Sequence, residues 1–369
     1  MGFRFLLVIA AGALMLAATI YLIRCFHRFH ILDALGKQHR LLSWVLALLP
    51  VACISLLALY NAATLFTVLV HLVLGFLLCD AIAWLIHLLL HRTISYDLRG
   101  ATALLLTAVY LGIGCFLAFH VFETHYSVST KKVLSEDLRI VALADSHLGV
   151  TLDGERFAKQ TARISTLQPD LVIVVGDFVD DDSDRKDMLR ACRALGELQT
   201  TYGVYFVYGN HDNGYSQYRN FSASELRRAL EENGVIVLTD DWTSVGNDVI
   251  LVGRRDRSME DRLDIRTLME SVDPQKYCIV LDHQPNDYTN EAAAGVDLVL
   301  SGHTHGGHIF PAGLIGLWIG ANDRVYGSET RGDTTFLVTS GISGWAIPIK
   351  TGTASEFVVI DVHSAATHE

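Results

Sequence analysis

Charge is scarce in this sequence, proline is rare, and the few cysteines form no spaced pairs. Asp, Glu, Lys and Arg make up 19% of the 369 residues, whereas a soluble chain averages about 25%. Because 51% of the residues are hydrophobic and only 6 are Pro, the composition excludes disordered and collagen-like chains. None of the 6 Cys stands in a C-x-x-C pair, so we expect neither a thiolate metal site nor a disulfide framework.

The shortage of charge is concentrated near the N-terminus. Residues 1–130 contain seven basic and four acidic side chains, a net charge of +3, and the rest of the chain carries −14. A helix needs roughly 20 apolar residues to cross a bilayer, and residues 1–125 contain four such stretches. We therefore expect an N-terminal bundle of about four transmembrane helices, the first of them too long for the apolar core of a signal peptide. The stretches cover residues 4–23, 41–60, 63–90 and 101–122.

Basic residues in the short loops predict the orientation in the membrane. The loops 24–40 and 91–100 hold four and two Lys/Arg, and the opposite side holds three. Because loops rich in Lys and Arg stay in the cytoplasm, we expect a multi-pass protein of the cell membrane. Its acidic C-terminal part would then lie on the outer, periplasmic or extracellular face. Asp80 lies inside the third stretch, where a proton or ion relay and a helix–helix hydrogen bond are both open interpretations.

Beyond a polar juncture at residues 123–137, short β-rich runs alternate with amphipathic helical patterns. This alternation predicts an α/β domain with a layered sheet over residues 138–363. The predicted strands are 138–144, 171–175, 203–208, 248–252, 277–281, 297–300, 334–339 and 356–361. The predicted helices are 154–167, 185–199, 222–233, 259–271 and 287–294.

Five of the predicted strands end in segments that supply Asp, His or Asn. Sites in open α/β sheets assemble at the carboxyl ends of strands, so we expect these side chains to meet. Carboxylate, imidazole and amide donors without thiolates suit Mn²⁺, Fe, Zn²⁺ or Mg²⁺, and seven donors are enough for two ions if one carboxylate is shared. The candidate metal ligands are Asp145, His147, Asp177, Asn210, His283, His303 and His305.

The ordered set of motifs resembles that of the calcineurin-like metallophosphoesterase superfamily. The segments GNHD at 209–212 and GHTHGGHIFP at 302–311 look like its membrane-associated bacterial branch. The resemblance implies a four-layer α/β/β/α sandwich and two bound divalent metal ions. It also implies hydrolysis of a phosphoester or pyrophosphate bond by a hydroxide held between the ions.

The resemblance further implies roles for single residues. Asp177 would bridge the two ions, and His211 would protonate the leaving group or contact the phosphate, with Asp212 as its orienting partner. His308 departs from the branch, which usually has Gln there; a substrate contact, an outer-shell donor and a plain surface His are all open. Besides Asp177, one ion would be held by Asp145, His147 and His305, and the other by Asn210, His283 and His303.

Four helices are more than tethering requires, so we expect a phosphorylated lipid or another membrane-linked substrate. Relatives in this branch include a UDP-diacylglucosamine pyrophosphatase, an activity that would need the domain on the cytoplasmic face. A domain charge of −14 disfavours a nuclease, because nucleic-acid binding relies on Lys and Arg. A non-catalytic membrane sensor or scaffold also stays open.

Three further features have weaker signals. Asp180 matches the second Asp of a G-D-x-x-D element, which favours an outer-shell position. Arg254, Arg255 and Arg257 end a predicted strand, where a grip on a phosphate and scattered surface cations are alternatives. The apolar run 341–350, which contains Trp345, is predicted to form a rim facing lipid or substrate.

Overall fold

Helices and strands separate along the chain. The computed structural model describes residues 2–213 and 219–364, and it divides into two units, Met1–Gly114 and Cys115–Glu369. The boundary falls inside a helix, so the last turn of that helix, residues 115–119, belongs to the second unit.

The first unit contains the apolar helices that the sequence predicts. Among the described residues, three helices are long and apolar enough to cross a membrane, Arg40–Leu59, Ala62–Leu90 and Tyr96–Phe119. The apolar run described in the first helix, Gly12–His27, is shorter. The prediction of an N-terminal region of about four apolar helices is confirmed. The helices are α1 (Gly2–His27), α2 (His30–Gly36), α3 (Arg40–Ser55), α4 (Ala62–Leu90) and α5 (Tyr96–Phe119).

Asp80, the acidic residue within α4, pairs with arginines of two other segments. Its Oδ1 accepts a hydrogen bond from Nη1 of Arg99 in α5 at 2.8 Å, and Arg28 Nη1 lies 3.7 Å from its Oδ2. The carboxylate is thus matched by basic groups across a helix–helix contact, as polar residues in membrane helices usually are. This arrangement favours the helix–helix interpretation of Asp80 over a relay.

The second unit alternates strands with helices. Several of its helices start at a residue whose side chain accepts a backbone amide of the first turn, and Asp153, Asp184, Ser222 and Asp264 act in this way. Its strands are β1 (Val121–Thr130), β2 (Leu138–Leu143), β3 (Leu171–Val175), β4 (Val204–Val207), β5 (Ile236–Val237), β6 (Asp241–Val245), β7 (Val249–Gly253), β8 (Tyr277–Leu281), β9 (Leu298–Ser301), β10 (Gly327–Arg331), β11 (Thr334–Val338) and β12 (Ser355–Ser364). Its helices are α6 (Gly154–Ser165), α7 (Arg185–Gly196), α8 (Ala223–Glu232), α9 (Ile265–Met269), α10 (Tyr288–Ala293) and α11 (Ala312–Trp318).

These strands form two six-stranded sheets within the described residues. The first has the order β1-β12-β2-β3-β4-β5, and the second has the order β10-β11-β9-β8-β7-β6. The strands β2 to β5 run parallel in the first sheet, and so do β7, β8, β9 and β11 in the second. Parallel strands bring their carboxyl ends to the same edge of a sheet, which is where the candidate ligands follow.

The sheets pack face to face with helices on their outer sides. In β2, Ile140 and Ala142 belong to the core between the sheets, while Val141 and Leu143 belong to the core beneath α6, α7 and α8. On the outer side of the second sheet, Tyr288 of α10 packs in a third core. Both faces of the central strands are therefore buried, which explains their continuous apolar sequences. The predicted α/β/β/α sandwich is confirmed.

The first half of the segment expected to be a polar juncture, residues 123–130, belongs to a strand. β1 covers residues 121–130 and pairs in parallel with β12, with Val121 opposite Ser355 and Thr130 opposite Ser364. As an edge strand it leaves several side chains exposed, so it tolerates the polar residues that made it look like a linker. The pattern predicted as a helix over 259–271 is also shorter, since α9 spans only Ile265–Met269.

Candidate metal centre

The candidate ligands converge because they follow strands of both sheets. Asp145 follows β2, Asp177 follows β3, and Asn210 follows β4 in the first sheet, while His283 and His303 follow β8 and β9 in the second. Five of the seven candidate ligands line a cavity of about 450 Å³. Its lining includes His147, Asp177, Asn210, His211, His303, His305, His308 and Trp345.

One cluster consists of Asp145, His147 and His305. Their donor atoms all lie within 4.8 Å of one another, and the two imidazole Nε2 atoms are 3.1 Å apart. His305 Nε2 is 3.9 Å from Asp145 Oδ1. Two nitrogens bound at about 2.1 Å to one tetrahedral or octahedral cation are about 3.0–3.4 Å apart. The spacing of the two imidazoles therefore fits a shared ion.

A second cluster consists of Asp177, His283 and His303, whose donor atoms also lie within 4.8 Å of one another. His283 Nε2 is 3.1 Å from Asp177 Oδ2. The same Oδ2 is 3.6 Å from Nε2 of His147 in the first cluster. Asp177 is thus placed between the two clusters, where one carboxylate could serve both.

One donor atom has unused capacity that a cation would fill. Asn210 Oδ1 is buried without a hydrogen bond among the described residues, and an unsatisfied buried polar atom is costly. His283 Nδ1 is engaged by the Val175 carbonyl oxygen at 2.7 Å, which fixes the ring and directs Nε2 into the site. The donor set and its orientation fit two divalent cations.

The electrostatics of the cluster also suit a cation. Burial raises the pKa of Asp145 to about 6. Burial acts in the same direction on Asp177, but the imidazoles of His283 and His147 outweigh it and lower the pKa of that carboxyl. Against the effect of burial, Asp177 raises the pKa of His283. Metal binding at His283 requires the neutral imidazole, so ligation would release any proton that the ring carries.

Asp180 connects the first cluster to His211. Its Oδ2 lies 3.0 Å from Nδ1 of His147, and its Oδ1 lies 2.9 Å from Nδ1 of His211. Burial acts to raise the pKa of Asp180, but the two imidazoles outweigh it and lower that pKa. A carboxylate that holds the far nitrogen of a ligating His fixes the ring and makes it more basic. The sequence reading expected Asp180 in such an outer position.

Asp212 has a different neighbourhood from the one expected. The resemblance implies Asp212 as the orienting partner of His211, and in the structure Asp180 is the carboxylate that contacts His211 Nδ1. The fully buried Asp212 accepts backbone amides of Phe178 and Val179 at Oδ1, at 2.9 and 3.1 Å, and of Gly209 at Oδ2, at 2.8 Å. It therefore ties the loop after β3 to the loop after β4, and its charge also acts to raise the pKa of His211.

The turns that carry the ligands are tightly packed and strained. Asp145, Asp177 and His303 have φ values of 55°, 52° and 70°, a region that residues with a side chain rarely adopt and that clusters at functional sites. Gly176 has a φ of 77°, and a Cβ on it would lie 2.7 Å from His283 Nδ1. A Cβ on Gly209 would overlap Asp177 Oδ1. Both glycines are therefore needed for the loops to bring the ligands together.

His308 lines the same cavity as the ligands. Its ring centroid is 5.4 Å from that of His305, and both ring nitrogens are buried without a hydrogen bond among the described residues. Burial, together with the Lys350 ammonium, lowers the pKa of His308 to about 3. Its position favours a contact inside the site over the plain surface interpretation.

The three arginines considered for phosphate binding lie elsewhere. Arg254 is buried, and its Nη1 donates to Asp282 and Asp287 at 2.8 Å and to Glu291 at 3.0 Å. The side chain is therefore neutralised by acids of α10 and of the segment between β8 and α10, and it does not line the cavity that holds the ligands. Arg255 similarly pairs with Asp261. The positions of Arg254 and Arg255 therefore disfavour a role in phosphate binding. Arg255 fits the surface-cation alternative, and Arg254 is instead buried in a cluster of ion pairs.

Lys350 is a buried residue near the site that sequence reasoning missed. Its Nζ donates to the carbonyl oxygen of Ser340 at 2.6 Å and lies 3.4 Å from that of Ser343. Burial lowers its pKa to about 7. The turn it supports carries Gly341, where a Cβ would lie 2.6 Å from Asp145 Cβ. The apolar run 341–350 gave no sign that its final lysine turns inward. Trp345 of this run does lie at the cavity, with its ring centroid 5.8 Å from that of His211.

Comparisons with known proteins agree with this geometry. The family described as calcineurin-like phosphoesterase matches residues 138–307. A Bos taurus transmembrane protein with metallophosphoesterase domain is 28% identical over 292 residues, which cover 75% of this chain and 65% of that protein. A metallophosphoesterase of Campylobacter jejuni is 32% identical over 62% of this chain and 60% of its own length. A metallophosphoesterase of Aquifex aeolicus is 30% identical over 64% of this chain and 90% of its own length.

The chain thus spans less than two thirds of the bovine and Campylobacter proteins but most of the Aquifex one. The relatives share the domain that holds both ligand clusters, and the bovine one shares a membrane-spanning character. The matched residues, 138–307, include every one of the seven candidate ligands. This chain belongs to the calcineurin-like metallophosphoesterase family.

Proposed function

We propose that the protein is a membrane-anchored, two-metal phosphoesterase. The observation that supports this most directly is the pair of donor clusters in one cavity with Asp177 placed between them. In this proposal residues 1–125 anchor the chain and residues 138–363 carry the chemistry. Two divalent ions, when bound by the seven candidate ligands, would activate a water molecule and neutralise the charge on the phosphoryl oxygens.

His211 is the residue we assign to proton transfer. It lines the cavity beside the ligand Asn210, and its backbone amide donates to Asp177 Oδ1 at 2.8 Å, which fixes its position. Its Nδ1 lies against Asp180, and we assign Nε2 as the nitrogen that protonates a leaving-group oxygen. Burial acts to lower the pKa of His211, but Asp180 outweighs it and raises that pKa, which keeps the proton available.

The substrate class follows from the anchor. A catalytic domain attached to several membrane helices meets substrates in or at the bilayer, so we propose a phosphorylated lipid or another membrane-linked phosphoester. The cavity of about 450 Å³ is open to solvent on one side, which suits a headgroup better than a whole lipid. The domain charge of −14 continues to disfavour nucleic acid.

We propose that the domain lies on the outer face of the membrane. The basic residues around the start of α5, Arg92 before the helix and Arg99 in its first turn, favour a cytoplasmic start for that helix, so the chain would leave the membrane on the outer side. This inference depends on α5 and its preceding loop and not on whether α1 crosses completely. An outer location argues against the cytoplasmic UDP-diacylglucosamine reaction.

Hydrolysis of a chromogenic ester tests the activity. The full chain, purified in detergent with Mn²⁺, should release nitrophenol from a nitrophenyl phosphomonoester or phosphodiester, and excess chelator should abolish the release. His211→Ala should lower kcat by about 100-fold or more, while Asp182→Asn, which changes an exposed acid of the neighbouring loop, should have no effect. Full activity in the His211 variant would refute its role, and a wild-type chain inactive with every metal would support the sensor interpretation.

A further inference from the structure

An uncharged apolar segment follows directly after the metal-binding loop. Residues 309–322 contain no acidic or basic side chain, and residues 310–319, called here the apolar lip, expose most of their large side chains. Trp318 is 87% exposed, Ile319 66%, Leu314 60% and Phe310 57%. Soluble surfaces rarely present so many large apolar groups together, and such a patch marks an interaction site.

The helix within the lip partly buries its small residues and exposes its large apolar ones, the opposite of a surface helix in a soluble protein. α11 directs its small residues Gly313 and Gly316 toward the domain, where both are half-buried and line the metal-site cavity. Its large residues Leu314, Leu317 and Trp318 are exposed. A surface helix normally buries its large apolar stripe and exposes its small or polar one. The exposed face of α11 is therefore suited to an apolar environment.

The lip is firmly attached to the metal-binding loop. Gly307 lies two residues after the candidate ligand His305, and a Cβ on Gly307 would lie 2.7 Å from Gly313 Cα. The backbones of the loop and of α11 are therefore in direct contact. Because Ala312, Gly313 and Gly316 line the same cavity as the ligands, the exposed side of α11 forms an edge of the entrance to the candidate site.

The same unit places the lip near the end of a membrane-spanning helix. Ser355 Oγ donates to the carbonyl oxygen of Ala118, in the last turn of α5, at 2.9 Å. At the other end of the segment 351–355, Thr351 Oγ1 accepts the backbone amide of Phe310 at 3.0 Å. Four residues reach at most about 14 Å. The lip therefore begins within a short distance of the point where the chain leaves the bilayer.

We propose that the apolar lip docks into the lipid bilayer and sets the entrance of the candidate site at the membrane surface. The occupant is the acyl–headgroup boundary of the same membrane that α5 spans, because an uncharged patch with an exposed Trp suits that zone. Membrane docking stands on the exposure and position of the lip. The consequence for catalysis, direct delivery of lipid headgroups to the cavity, rests on the proposed phosphoesterase function.

Tryptophan quenching tests the docking without any assay of activity. The full chain is reconstituted into phosphatidylcholine bilayers with and without brominated acyl chains, and the quenchable emission of Trp318→Phe is compared with that of the wild type. Trp242→Phe is the matched control, since Trp242 is a half-buried Trp of the same unit whose Nε1 donates to Ser271. We expect the Trp318 variant to lose part of the quenchable emission and the Trp242 variant to keep all of it.

Equal quenching in the wild type and Trp318→Phe would overturn the proposal. Trp318 emission of equal intensity in brominated and plain bilayers would also overturn it. A second copy of the chain or another protein would then cover the lip and keep it away from the acyl chains.

Kinetics on two substrates test the catalytic consequence. Leu314→Asn combined with Trp318→Asn should lower the hydrolysis of vesicle-embedded phosphatidic acid by about tenfold or more and leave soluble nitrophenyl phosphate hydrolysis unchanged. Leu263→Asn, at a leucine that is 43% exposed outside the lip, should affect neither. An equal loss on both substrates would mean that the lip shapes the cavity and would contradict delivery from the bilayer. A wild type inactive on both would refute the phosphoesterase proposal, while the quenching result would still decide the docking.

Discussion

At the scale of single residues, Asp180 is the side chain whose importance the structure raises most. Its two oxygens contact the Nδ1 atoms of His147 and His211, at 3.0 and 2.9 Å. One carboxylate therefore orients both a candidate metal ligand and the candidate proton donor. Such outer partners are worth 10–100-fold in metal affinity or activity in other metal sites.

The Asp180→Asn variant should lose function without unfolding. We expect kcat to fall by about 10–100-fold and the Mn²⁺ concentration for half-maximal activity to rise by a similar factor, because an amide cannot accept from both imidazoles as a carboxylate does. Activity titrated against Mn²⁺ measures both effects. Asp182→Asn is the control, because Asp182 is exposed and lies two residues after Asp180. An Asp180 variant with the same activity and Mn²⁺ dependence as this control would contradict the role assigned to Asp180.

The sequence identified which residues meet but not all of their partners. Predicted strands followed by Asp, His and Asn indicated that these side chains meet, because sites form at the carboxyl ends of parallel strands. Asp212 was expected to hold His211, yet its oxygens accept backbone amides of the β3 and β4 loops. The path of a loop backbone has no signature in composition or spacing, so this exchange with Asp180 could not be predicted.

At the scale of elements, the turn after β3 is the most sensitive part of the site. Gly176 and Gly295 both have a φ of 77°, but a Cβ on Gly176 would meet the loop after β4 and His283, whereas nothing lies within 4 Å of a Cβ on Gly295. Comparing alanine substitutions at Gly176 and Gly295 therefore distinguishes the free-energy cost of a left-handed backbone from the cost of a steric clash.

We expect Gly176→Ala to abolish metal binding and to lower the midpoint of thermal unfolding strongly. Gly295→Ala should lose only about 1–2 kcal/mol, the cost of an alanine in this conformation, and should keep its metal and activity. Thermal unfolding followed by circular dichroism, with metal analysis of each variant, measures both. Equal behaviour of the two variants would show that close packing at Gly176 does not matter.

The elements themselves were predicted unevenly. Central strands such as β3, whose five residues are all buried, are predicted by short apolar runs in the sequence. The edge strand β1 did not, because half-exposed edge positions accept Glu, His and Ser. The exposure of the large apolar side chains of α11 could not be predicted from the sequence either, since an apolar run of seven residues does not indicate which side of the helix faces the domain.

At the scale of the whole molecule, the strongest untested expectation is the orientation. A reporter fused after Glu369 that is active only outside the cytoplasm should be active, and a reporter that is active only in the cytoplasm should be silent. The reason is the pair of basic residues around the start of α5, Arg92 and Arg99, which favours a cytoplasmic start for that helix. Replacing Arg92 with Gln should weaken this preference, and a cytoplasmic signal in the unaltered chain would place the domain on the opposite face.

Metal binding should also stabilise the second unit as a whole. Asp145 and Asp177 are buried after the neighbouring strands β2 and β3, and like charges in that position oppose folding. Removing divalent ions with a chelator should lower the unfolding midpoint of the purified chain, and added Mn²⁺ should restore it by an amount that grows with concentration. An unfolding midpoint unaffected by either treatment would argue against occupied sites in this fold.

The most direct test of the two-metal account is the metal content of the wild type and of Asp177→Asn, measured on the samples used for activity. Asp177 lies between the clusters, so the account predicts about two divalent ions per wild-type chain. It predicts fewer than one in the variant, with phosphoesterase activity reduced by more than about 100-fold, the upper limit for an outer partner. An Asp177 variant that keeps two ions and full activity would contradict the account.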